Sequence, residues 1–84
     1  MSEASNKPIN VFRRRGVKVS VFENHTGQAV WHKVTVQKIY RDEQEQWKTG
    51  TSLGRDDLPI AQLLLGKAWD FILDREAVDA KPSE

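Results

Sequence analysis

The sequence predicts an α+β domain, a three- or four-stranded antiparallel sheet (β-β-β-α or β-β-β-β-α) with one C-terminal helix packed on one face. Three observations predict it. Val17, Val19 and Val21 alternate with Lys18, Ser20 and Phe22, the period of two that marks a half-buried strand. Ala61, Leu64, Leu65, Ala68 and Ile72 form an apolar stripe at helical spacing. Turn-forming residues separate these segments, and 84 residues suffice for one domain only.

Residues 1–8 and 78–84 are rich in Ser, Glu, Lys, Asn, Ala and Pro and read as disordered tails. The single ordered domain is then 9–77. Ile9 to Arg15 is a preceding strand or arm, anchored by Val11 and Phe12, and Gly16 allows a bend before the Val17 strand. Asn24 to Gln28 is turn chemistry, because Asn and Gly tolerate positive φ. Ala29 to Arg41 is a long second strand. Its two faces are Val30, Val34, Val36 and Tyr40 on one side, and Trp31, Lys33, Thr35, Gln37 and Ile39 on the other. Asp42 to Gln46 is a polar turn, and Trp47 to Leu53 a third clear strand. Gly54 ends the strand region. Asp56 or Asp57 caps the helix, and Pro59 sits in its first turn, where a missing N–H costs little. Ile60, Leu63, Trp69, Phe71 and Leu73 widen the apolar stripe beyond what a thin sheet covers. The width implies either one crowded monomeric core or a homodimer through the C-terminal helix, and the need of so small a domain for extra burial favours the dimer.

Composition narrows the function classes. The chain has no cysteine, which removes disulfides, Cys-based zinc sites and a thiol nucleophile. Residues 1–8 lack the apolar core of a secretory signal, and no apolar run is long enough to span a membrane, so the expectation is a cytoplasmic protein without membrane attachment. The net charge of +1 hides an asymmetry. From Ile9 to Arg41 seven basic residues face Glu23 alone, a surplus of +6; from Asp42 onward ten acids face five bases. Two readings follow: the halves neutralise each other, or a basic surface faces a polyanion while an acidic side is solvated.

Catalysis finds little support. His25 and His32 are the only histidines and lack metal-ligand spacing, so neither a metal nor a cofactor is expected. Asp56 and Asp57 are adjacent carboxylates better explained by the helix dipole than by acid–base work. Gly66-Lys67 lacks the rest of a phosphate loop. Ser20 and Ser52 have no identifiable His and Asp partners. The expectation is a protein that is not an enzyme.

The sheet face away from the helix carries more information. It is expected to show Lys18 and Phe22 from one strand, Trp31 and Lys33 from the next, and Trp47 or Lys48 from the last. Arg13, Arg14 and Arg15 add charge at the edge. Aromatic rings stack on unpaired bases while Lys and Arg meet phosphates, so this face suits single-stranded DNA or RNA. The competing reading buries Trp31 and Trp47 in the protein's own contacts and makes the chain a protein–protein interaction module or dimerising adaptor.

Several segments also resemble a family of small bacterial and archaeal proteins without a firm function. They are Val17 to Asn24, Val30 to Tyr40, Trp47-Lys48 and above all Ser52-Leu53-Gly54-Arg55-Asp56-Asp57-Leu58, where Leu53 stands for the usual aromatic. The likeness covers about Phe12 to Ile72. Its strand–helix order is similar to the single-stranded-DNA-binding fold of Whirly proteins and transcriptional coactivators. That similarity implies four strands, helix-mediated dimers and nucleic acid bound on the sheet.

Overall fold

The computed structural model describes residues 7–80, with side chains through Ala77. Of the tails expected at 1–8 and 78–84, residues 1–6 and 81–84 lie outside the described residues. Four strands form one antiparallel sheet in the order β1-β2-β3-β4, with β1 Asn10–Arg14, β2 Val17–Thr26, β3 Ala29–Arg41 and β4 Trp47–Gly50. A 3-10 turn, Arg55–Asp57, leads into helix α1, Leu58–Ala80. Ile9 to Arg15 thus supplies the fourth strand. The last strand stops at Gly50, short of Leu53, and the helix runs past Ala77 to Ala80.

Each hairpin follows from its turn residues. Arg15 and Gly16 both have positive φ, at 53° and 83°, and join β1 to β2 as a two-residue loop. That conformation is the primed turn whose twist matches paired strands, and it favours glycine at its second position. Gly16 is doubly constrained, because a Cβ there would meet the Ile39 carbonyl oxygen at 3.0 Å. The Gly16 carbonyl also accepts the Ile39 N–H at 2.7 Å. The β2–β3 turn is tighter than the sequence suggests. Strand pairing continues to Thr26 opposite Ala29, and only Gly27, at φ 60°, and Gln28 make the loop. Between β3 and β4, the Asp42 carboxylate accepts the backbone N–H groups of Gln44 and Gln46 at 2.8 and 2.9 Å. An Asx-type cap of this kind holds the turn while Glu45 takes a φ of 61°.

The core lies between β2 and α1. Val17, Val19 and Val21 are fully buried, and Ala61, Leu64 and Ala68 close over them. Phe12 of β1 meets the Phe71 ring edge-on, with centroids 6.4 Å apart. At the start of the helix, Asp57 turns backward, not forward. Its Oδ2 accepts the Gly54 N–H at 2.8 Å and its Oδ1 accepts the Lys38 ammonium at 2.6 Å, tying the 3-10 turn to β3. Leu65, expected in the core stripe, is 41% exposed, because it lies on the flank of α1 and not over the valine row. Leu58, Leu63, Trp69 and Leu73 are exposed as well.

These placements separate helix residues by consequence. Leu64→Ala is expected to cost about 2–5 kcal/mol, the usual range for emptying a buried leucine site. Leu63→Ala, on an exposed face, is expected to cost well under about 1 kcal/mol. Gly66 has open space where a Cβ would stand, so Gly66→Ala is expected to stabilise by about 0.5–1 kcal/mol. Urea denaturation of the three variants checks the order.

Candidate nucleic-acid interface

The strand register assigns every side chain to a face. Val17, Val19, Val21, Glu23 and His25 of β2 share the helix side with their partners Lys38, Val36, Val34, His32 and Val30 of β3. The other face is open. It presents Val11 and Arg13 from β1 and Lys18, Ser20, Phe22 and Asn24 from β2. From β3 and β4 come Trp31, Lys33, Thr35, Gln37, Ile39, Arg41, Trp47 and Thr49. No described element packs on it.

Two aromatic–cation groups stand at the ends of this face. At the hairpin end, Lys33 lies opposite Phe22 in the register and its ammonium is 5.7 Å from the ring centroid. Trp31, beside them, donates its indole N–H to the Thr26 hydroxyl at 3.4 Å, yet the residue stays 49% exposed. At the other end the Arg41 guanidinium sits 5.0 Å from the Trp47 ring, which is 67% exposed. Ten residues of β3 separate Trp31 from Arg41, so at about 3.3 Å per residue the two groups are ~33 Å apart. Lys18 and Arg13 pair across β1 and β2 between them. The open-face strand positions carry no carboxylate. Glu23, the one acid between Ile9 and Arg41, occupies an odd position of β2 and therefore faces the helix.

The structure sorts the expected site residues. It brings Arg13, Lys18, Phe22, Trp31, Lys33 and Trp47 onto one face. It separates Lys48, which pairs with Tyr40 on the helix side and lies 3.8 Å from the Asp42 carboxylate. Adjacent strand residues point to opposite faces, so Trp47 and Lys48 cannot both join the surface. Arg14 pairs with Val17 and also falls on the helix side, while Arg15 belongs to the turn. Ser20 faces outward as expected but is 4% exposed. Sequence reasoning missed Arg41. Its parity with Trp31 and Lys33 along one strand was the available signal.

The other cluster of titratable groups lies on the helix side. Glu23 accepts two hydrogen bonds from Arg75 of α1, both at 3.1 Å, and contacts His32 at 3.1 Å and His25 at 3.3 Å. The His32 side chain is 4% exposed, and its Nδ1 has no hydrogen-bond partner, with the nearest Glu76 oxygen 3.9 Å away. Among the described residues no three His, Cys, Asp or Glu side chains converge as a metal site. The cluster is a clamp, in which one buried-edge carboxylate ties the C-terminal half of the helix to β2 and β3. Burial pushes the Glu23 carboxyl up; the hydrogen bonds from Arg75, His25 and His32 and the Arg75 charge outweigh it and hold it below the ordinary glutamate range. The Lys38 hydrogen bond, aided by the Gly54 N–H, holds Asp57 below the ordinary aspartate range.

Comparisons with protein-family models, with curated proteins and with solved structures found no match. No described helix is long and apolar enough to cross a membrane.

The lowered carboxyls set a pH dependence. A carboxyl depressed by folding contributes its stability above the unfolded-state pKa and loses it as pH falls through the folded-state pKa. Stability is therefore expected to be level above the ordinary carboxylate range and to fall on acidification below about pH 4. Glu23→Gln should be less stable than wild type at neutral pH, with the gap narrowing as pH drops. Urea midpoints measured from pH 7 to pH 3 check both; an unchanged gap across that range contradicts the clamp.

Proposed function

We propose that the chain binds single-stranded DNA or RNA on its open sheet face, with little sequence preference and without catalysing a reaction. One observation carries the reading: the open face displays four cations and three aromatic side chains and no strand carboxylate. Its chemistry is that of a stacking platform, because rings accept any base and the cations Arg13, Lys18, Lys33 and Arg41 meet the backbone. The ~33 Å between the end groups suits a strand of several nucleotides, within the range of roughly 4–16 that comparable small β folds occupy. The strand–helix order, with β1 as its first strand, is also similar to that of the Whirly and coactivator fold. A second reading, a protein-interaction module, is favoured by the exposed apolar residues along α1, which a nucleic acid would not cover.

Fluorescence anisotropy of a labelled single-stranded oligonucleotide tests the proposal. With three to four phosphates met, log affinity should fall with log salt at a slope of about −2 to −3. Trp31→Ala should weaken binding by about 1–3 kcal/mol, and Lys33→Gln should flatten the salt slope by about 0.7. Lys48→Gln and Arg14→Gln, on the helix side, should leave affinity nearly unchanged. No binding at high micromolar protein in low salt, or equal losses from both faces, overturns the reading.

A further inference from the structure

We propose that His32 is a proton-operated latch: with a proton on Nδ1 it bridges Glu23 of β2 to Glu76 of α1 and fastens the C-terminal half of the helix to the sheet. The proposal is independent of nucleic-acid binding. It starts from the surroundings of one buried ring.

His32 faces the helix from β3, and its side chain is 4% exposed. Its Nε2 lies 3.1 Å from a Glu23 oxygen. An ionised carboxylate only accepts hydrogen bonds, so the ring must donate there. In the neutral imidazole that places the single proton on Nε2 and leaves Nδ1 as a bare lone pair. The Nδ1 atom is covered by protein and has no hydrogen-bond partner. The Glu76 oxygen 3.9 Å away is itself an acceptor. The neutral ring therefore sets a lone pair toward a lone pair. Buried polar atoms are rarely left unmatched, because the lost hydration is not replaced. One proton from solvent removes the mismatch. On Nδ1 it turns an orphan acceptor into a charged donor directed at a carboxylate.

The charges around the ring favour the same change. From β2 it meets Glu23, and beyond it His25, whose Nε2 is 3.3 Å from the other Glu23 oxygen. From α1 come Arg75, with its two hydrogen bonds to Glu23, and Glu76. Its β3 neighbours on that side, Val30 and Val34, carry no charge. His25 stands largely in water, where its field is screened. Two carboxylates thus share one guanidinium. The group holds an unbalanced negative charge while His32 is neutral and is balanced once His32 takes up a proton. The Glu76 side chain is 58% exposed, so it is free to close by about 1 Å to the length of a charged hydrogen bond.

The mechanical consequence falls on α1. With His32 neutral, Arg75 ties the distal half of the helix to β2 alone. With His32 protonated, the next helix residue is tied to β3 as well. Helix ends open locally at a small cost in free energy, so a second tie at this position changes how often the distal turns lift from the sheet. A proton bound more tightly by the folded than by the unfolded chain adds stability below the ordinary histidine range and loses it as pH rises through the folded-state value. Histidine changes charge between about pH 5 and pH 8. Glu23 and Asp57, both held below the ordinary carboxyl range, stay ionised through that window. They supply a level baseline on which the latch adds a gain on mild acidification.

Nitrogen-15 NMR of the imidazoles reads the proton directly. His32 should carry it on Nε2 at about pH 7.5 and should be protonated on both nitrogens at about pH 5.5. Amide exchange reads the latch. Corrected for intrinsic rates, exchange of the Leu73 to Glu76 amides should slow by about five-fold or more between those two pH values, the lower end for satisfying a buried polar atom. Glu76→Gln, a change at an exposed position, should lose most of that slowing. His25→Gln, which removes the other histidine, should keep it. A His32 ring that holds its neutral proton on Nδ1, or stays singly protonated at about pH 5.5, overturns the proposal, and wild type alone suffices for that measurement. So does exchange that is unchanged between the two pH values, a slowing that survives Glu76→Gln, or one that vanishes in His25→Gln.

Discussion

Val17, Val19 and Val21 lose all their exposed surface beneath Ala61, Leu64 and Ala68, and the remaining structure is arranged around that row. Burying a valine is worth about 1.5 kcal/mol or more against leaving it in water. A chain of this length has few such residues to bury, so the position of α1 over β2 is fixed by where they are. Because strand side chains alternate, packing the odd residues of β2 under the helix commits the even residues to the opposite side. The same register propagates through the two tight hairpins to β1 and β3. A slip of one residue would put Lys18 and Lys33 under the helix and Val19 in water, which is why the pairing is so strongly specified.

That commitment also sorts charge. Glu23 is the lone acid in a stretch with seven bases, and its odd position carries it to the helix side, where it meets Arg75. An acid one residue earlier or later would stand among Lys18, Lys33 and Phe22 and cancel part of the field there. The clamp and the uninterrupted basic face are thus two consequences of one parity. The helix contributes the complement: Asp70, Asp74 and Glu76 belong to the element that covers the other side of the sheet.

Much of this was legible in the sequence. Alternation in β2 and β3 gave the right faces for Phe22, Trp31 and Lys33, and the apolar spacing of residues 61–72 located the helix. What escaped was whatever depends on pairing between segments. Trp47 and Lys48 are neighbours, and only the register of β4 on β3 decides which one joins the open face. Arg14 is separated from Arg13 for the same reason. The start of the helix was read through its acids, but Asp57 reaches back to Gly54 and across to Lys38, a contact nineteen residues away in sequence. Leu65 matched the helical stripe, yet a stripe says nothing of how far the helix is offset from the strand below it.

The offset has a physical reason. A helix spans about two strands, and β2 carries the three valines, flanked by Phe12 on β1 and by Val34 and Val36 on β3. Phe71 finds Phe12 only if α1 leans toward β1, and the two-bond Arg75–Glu23 contact holds the distal half at β2. Leaning that way covers an aromatic pair and leaves Val30 and Tyr40, at the two ends of β3, exposed. The exposed ends of β3 and the exposed Leu65 and Trp69 of α1 are thus two results of one offset, which completes the core on the side of β1.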